Sequence, residues 1–164
     1  MSISNPSTTP STAPDAPAAS RPAGPGAPGM IDPRGPRFSA VITTVVLIVI
    51  LLTRSGWLAA AQAVVFGIGA VAGLRYAPYG LIYRTFVQPR LPKPTELENE
   101  APPRFAQAVG FVFIGVGAIG YLAGATTLGT VFAALALAAA FLNAAFNYCL
   151  GCEMYLFMKR ATTH

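Results

Sequence analysis

The segment Asn147-Tyr148-Cys149-Leu150-Gly151-Cys152-Glu153 holds both cysteines of this 164-residue chain. Thiols two residues apart can form a disulfide, pass sulfur between partners, or supply half of a metal site. Glu153 adjoins Cys152 and is the one acid at the end of an apolar stretch. It can accept a proton from a thiol, or simply pair with a loop arginine. Asn143 and Asn147 lie one helical turn apart, on a face leading toward the cysteines. Amides buried in a membrane mark a substrate path or clamp a neighbouring helix. Cys149, Cys152 and Glu153 are thus the candidate catalytic residues, and Asn143 and Asn147 the candidate path.

Other chemistries find little support. The single histidine, His164, is the last residue, so a His-assisted nucleophile has no partner nearby. A zinc site wants four ligands, and one chain offers two thiolates. Neither a phosphate-cradling glycine loop nor a haem-attachment Cys-x-x-Cys-His occurs, since Glu153 occupies that last position. No metal or cofactor is expected.

The elements that must position the dithiol are membrane helices. Mean hydropathy is +0.55, and only 10% of residues are charged, which excludes an ordinary soluble domain. Charge-free runs cover Phe38 to Thr53, Ser55 to Leu74 and Phe105 to Cys152. A membrane helix takes roughly 20 apolar residues. The three runs therefore predict four transmembrane helices, near 38–53, 56–75, 105–123 and 128–148, as two hairpins in an all-α domain over 36–160. The second hairpin is expected to turn somewhere between Gly120 and Gly129. Residues 1–35, rich in Pro, Ala, Ser and Thr, lack an apolar core and read as a disordered cytoplasmic tail.

Arg34, Arg37, Arg75, Arg84, Arg90, Lys93, Arg104, Lys159 and Arg160 all flank helix ends on one side of such a bundle. Arg54 stands alone on the other. The positive-inside rule then predicts a multi-pass protein of the plasma membrane with both termini in the cytoplasm. It also accounts for the pI of about 9.6 without nucleic acid, for which no basic cluster or aromatic platform is present.

The halves look alike. Pro36-Arg37-Phe38 opens one and Pro103-Arg104-Phe105 the other. Each hairpin ends in an aromatic, glycine-containing and finally basic segment, which suggests a parallel internal repeat about the membrane normal. Pro78 and Gly80 should end the second helix before a short interfacial piece, Leu81 to Val87. By analogy the fourth helix should break near Gly151. A second interfacial helix would then start close to Cys152 and make it the better placed nucleophile, with Cys149 resolving. Gly69, Gly73, Gly110, Gly115 and Gly117 offer small faces for packing within the bundle or for a homodimer seam.

With its Pro-Arg-Phe entry, two hairpins, polar central loop and terminal Cys149-x-Gly151-Cys152, the chain from about Asp32 to Arg160 resembles the bacterial integral-membrane family called domain of unknown function 4395. The resemblance implies a topology more than an activity. It also implies an actinobacterial setting near thioredoxin-like and rhodanese-type sulfurtransferase proteins, and hence thiol or sulfur traffic. Three functions compete. One is a cytoplasm-facing thiol-disulfide or persulfide relay, a sulfur-transfer enzyme. The others are a transporter or channel subunit for a small sulfur species and a non-catalytic membrane scaffold.

Overall fold

The computed structural model describes residues 29–162. The reading of a disordered tail falls for the most part outside them, but its last residues are already structured. Met30–Ile31 forms β1, which pairs antiparallel with β2, Glu98–Asn99, in the central loop. The partners are Met30 with Asn99 and Ile31 with Glu98.

The chain is mostly helical. Three helices are long and apolar enough to cross a membrane: α1 (Arg34–Thr53), α4 (Ala101–Leu122) and α5 (Thr126–Phe146). Between them lie α2 (Gly56–Val71) and the short α3 (Pro78–Ile82), and α6 (Leu150–Thr162) closes the chain. With 16 residues, α2 is roughly 24 Å long against a hydrocarbon thickness near 30 Å. The apolar run continues to Leu74, yet the helix stops at Val71, four residues before the expected end. Gly73 takes a left-handed φ of 99°, and the Arg104 guanidinium occupies the carbonyls of Ala70 and Val71.

At the start of α1 and α4 the helices begin earlier than the apolar runs. The Pro-Arg-Phe triplets lie inside the first turns, where proline costs no hydrogen bond. A short side chain caps each entry: Asp32 accepts from the Arg34 N–H and Asn99 from the Ala101 N–H, at 2.9 and 2.8 Å. Arginines then reach across. Arg37 on α1 donates to the Ala144 carbonyl near the end of α5, while Arg104 on α4 donates to the carbonyls that end α2. Cations at helix C-termini satisfy orphan carbonyls and oppose the negative end of the dipole. Each hairpin's first helix therefore packs on the other hairpin's second helix, α1 on α5 and α4 on α2.

The hairpin turns sit side by side at the opposite end, where Leu122 lies against Gly56. The second turn is only Ala123 to Ala125. It falls within the expected Gly120 to Gly129 stretch, and both of those glycines lie inside the helices. A Cβ on Gly120 would come within 2.8 Å of the Gly129 nitrogen, so these glycines let α4 and α5 cross closely. Near that end Leu47, Ile50, Ala59, Ile114 and Ala133 are fully buried in one cluster. A rim of exposed Val45, Ile48, Leu52, Trp57, Val71, Ile119 and Phe146 surrounds the bundle, as expected where lipid replaces water as solvent.

Candidate functional site

At the end of α5 the chain breaks earlier than its glycine suggests. Asn147 takes the left-handed conformation, φ 56° and ψ 29°, one that asparagine tolerates better than most residues. Its N–H still donates to the Asn143 carbonyl, and the Tyr148 N–H to that of Leu142. The break therefore falls at Asn147, and the expected one at Gly151 is corrected. Gly151 is the second residue of α6. It is small for a tertiary reason: a Cβ there would meet the Cα and Cβ of Ala106 on α4 at 2.6 Å.

Cys149 immediately precedes α6. Its carbonyl accepts the Glu153 N–H at 3.0 Å, and its sulfur lies 3.3 Å from the Cys152 N–H as acceptor. Cys149 thus occupies the helix-start position that the sequence reading gave to Cys152, which sits a turn deeper. The two are joined as a disulfide, Cα to Cα 5.2 Å apart, and both are half-buried. A thiolate at Cys149 would be stabilised by that N–H and by the positive end of α6.

The disulfide forms part of the wall of a cavity of about 700 Å³. Asn143, Asn147 and Glu153 also line it, so all five residues singled out by sequence converge on one space. They do not share one helix face, however. Asn143 is half-buried in the last turn of α5, Asn147 is exposed beyond the helix, and Glu153 is exposed in the first turn of α6. Residues from α1 and α4 complete the wall: Arg37, Ala40, Thr43, Gln107, Gly110 and Phe113. Arg37 and Gln107 were missed in the sequence. Gln107 carried a signal, as the one amide between Phe105 and Leu122. So did Gln62 on α2, which is fully buried and accepts a hydrogen bond of 2.6 Å from the Tyr79 hydroxyl.

The corresponding segment after α2 is built differently. No side chain caps α3, and Tyr83 packs on Phe38 with ring centres 5.6 Å apart while its hydroxyl donates to Asp32. Burial, then the Asp32 hydrogen bond, pushes the Tyr83 phenol up to about 12, so it stays a donor. After α5 the matching ring pair is Phe105 with Tyr155 of α6, 5.8 Å apart.

Residues 31–160 match the family model described as domain of unknown function, DUF4395. The chain belongs to that family. No curated protein and no solved structure matches it. DUF4395 membership carries no activity in its description, so the function of this member rests on the disulfide and the cavity behind it.

Proposed function

We propose that this DUF4395 protein is a multi-pass membrane thiol-disulfide relay that exchanges Cys149 and Cys152 with a soluble cytoplasmic thiol protein of thioredoxin-like or rhodanese type. The observation that carries the reading is the placement of the pair. It sits at the start of a helix whose dipole and backbone N–H favour a thiolate at Cys149, at the margin of a cavity and half-exposed to a partner. Exchange passes through Cys149: a partner thiolate attacks its sulfur in the disulfide, Cys152 leaves as a thiolate, and the partner's second thiol then attacks the mixed disulfide, leaving the partner oxidised and the pair reduced. Glu153, in the first turn of α6, is the proton acceptor at the exit.

In this reading α2 is a fourth, short span, with the bilayer locally thinned around it. Among the described residues, every lysine and arginine except Arg54 lies at the end bearing β1, β2 and α6, so in this reading that end and both termini face the cytoplasm. In this reading α6 lies in the headgroup region, supported by the exposure of Met154, Leu156 and Phe157. The halves form a repeat about the membrane normal, supported by the reciprocal Arg37 and Arg104 caps and the matching Asp32 and Asn99 entries. A transport path for small sulfur species is disfavoured by the fully buried Leu47, Ile50 and Ile114, which plug the bundle.

The test is a trap with a thioredoxin-like protein keeping only its attacking cysteine, preactivated as an aromatic disulfide. Cys152→Ser should form the mixed disulfide at least tenfold faster than Cys149→Ser. Equal rates would remove the assigned roles, and no adduct with either would remove the relay.

A further inference from the structure

A dithiol relay on the cytoplasmic side needs an electron acceptor, because soluble cytoplasmic thiols keep returning the pair to its reduced form. The cavity behind the disulfide indicates where that acceptor comes from. It runs from Cys149 and Cys152 into the bundle as far as Thr43 on α1, Phe113 on α4 and Ala136 on α5. Thr43 and Ala136 are each about ten residues from the cytoplasmic end of their helix, so the cavity is roughly 15 Å deep at 1.5 Å per residue. That depth lies within the hydrocarbon region of the bilayer.

Its walls grade from polar to apolar. Asn143, Asn147 and Arg37 line it toward the cytoplasmic helix ends, and Gln107 lines it from α4, all able to donate hydrogen bonds to a carbonyl oxygen. Farther in are Ala136, Ala139, Ala140, Phe66 and Phe113, which leave a broad apolar slot. The volume, about 700 Å³, falls in the range of sites that enclose a small organic ligand. A hydrophilic oxidant would find no charge partner in the deep part, and a plain acyl chain would leave the amides at the mouth unused. A flat, lipid-soluble molecule with carbonyls at one end and an isoprenoid chain at the other matches both ends.

We infer that the cavity binds a membrane quinone and that the quinone reoxidises the Cys149–Cys152 dithiol. This inference rests on the relay reading above. In the step, the two thiols give up two protons and two electrons and the S–S bond forms. The quinone takes both electrons and both protons, and its two carbonyl oxygens become the hydroxyls of the hydroquinone. Glu98 and Glu153, carboxylates on the cavity wall, can pass the thiol protons. Net flow is from cytoplasmic thiols through Cys149 and Cys152 to the quinone pool.

The experiment uses the full chain in lipid nanodiscs, reduced with a small dithiol, freed of it, and mixed with a short-chain ubiquinone or menaquinone. One equivalent of quinone per chain should lose its oxidised absorbance while both thiols disappear from alkylation. Ala139→Phe and Ala140→Phe should each slow this step at least tenfold, with unchanged melting behaviour and an unchanged rate of exchange with the soluble thiol protein. Normal exchange with no quinone reduction would overturn the quinone and leave the relay standing. Failure of exchange itself would sink the relay. Quinone reduction that neither variant slows would show reaction outside the cavity, and a stable cysteine–quinone thioether in place of a disulfide would also overturn the inference.

Discussion

The segments that follow α2 and α5 begin from similar chain positions and serve different ends. Each follows an apolar helix that stops at a left-handed residue, Gly73 in one and Asn147 in the other. Both place a tyrosine on the phenylalanine of a Pro-Arg-Phe entry, Tyr83 on Phe38 and Tyr155 on Phe105. Beyond that they diverge. After α2 the helical piece is short and continues into a wider π turn over Tyr83–Val87, and Tyr83 is anchored to Asp32. After α5 a full helix follows, its start made by a cysteine whose sulfur accepts a backbone N–H, with a cavity alongside. The first segment is a fastener, and the second is the one to which the proposed thiol chemistry is assigned. The lesson is that a similar scaffold can hold an anchored tyrosine in one segment and a disulfide beside a cavity in the other, because the local helix start decides what a side chain there can do.

The largest effect should come from removing the reactive element of that contrast. Cys149→Ser, Cys152→Ser and the double variant should each lower exchange with the cytoplasmic thiol protein by more than a hundredfold, while the purified proteins melt within a few degrees of wild type. A double variant with wild-type exchange would make both ends structural.

Gly151 comes next. Ala106 lies too near to admit a larger side chain, so Gly151→Leu should push α6 off α4, costing about 1–3 kcal/mol by overpacking. Disulfide formation should fall with it, measured as the alkylatable thiol fraction after mild oxidation. Gly124→Ala, in the outer turn where a Cβ meets open space but φ is 80°, should cost only its backbone strain, about 1 kcal/mol, and leave the thiols unaffected.

The reciprocal arginines give a smaller and graded difference. Arg104 makes three hydrogen bonds to the carbonyls of Ala70 and Val71, whereas Arg37 makes one to that of Ala144. Arg104→Ala should destabilise by about 2 kcal/mol and Arg37→Ala by less than about 1, read as denaturation midpoints in detergent. Equal losses would mean that the two halves are held together more symmetrically than their hydrogen bonds indicate. Smallest of all, Tyr83→Phe should cost about 0.5 kcal/mol through the bond to Asp32 and leave thiol exchange untouched.

Much of this layout was legible in the chain. Charge-free runs located the apolar helices, and the Pro-Arg-Phe triplets marked their entries. The two cysteines marked the segment that lines the cavity. Gly151 misled, because it is small to admit a neighbouring helix, and a sequence does not distinguish that from turn formation. The break at Asn147 was hidden because asparagine enters the left-handed region only where tertiary contacts end a helix. The cavity itself was illegible: Arg37, Gln107 and Asn143 are far apart in sequence and meet only because α1 packs on α5 and α6 folds back on α4.

The central claim is that Cys149 and Cys152 form a redox-active pair on the cytoplasmic side. Differential alkylation in intact cells addresses it most directly, with a permeant and an impermeant maleimide, before and after a brief thiol oxidant. The account predicts a pair that only the permeant reagent reaches, partly oxidised at rest, driven to disulfide by the oxidant and restored when it is withdrawn. Labelling by the impermeant reagent, or a thiol state that the oxidant does not change, would contradict it.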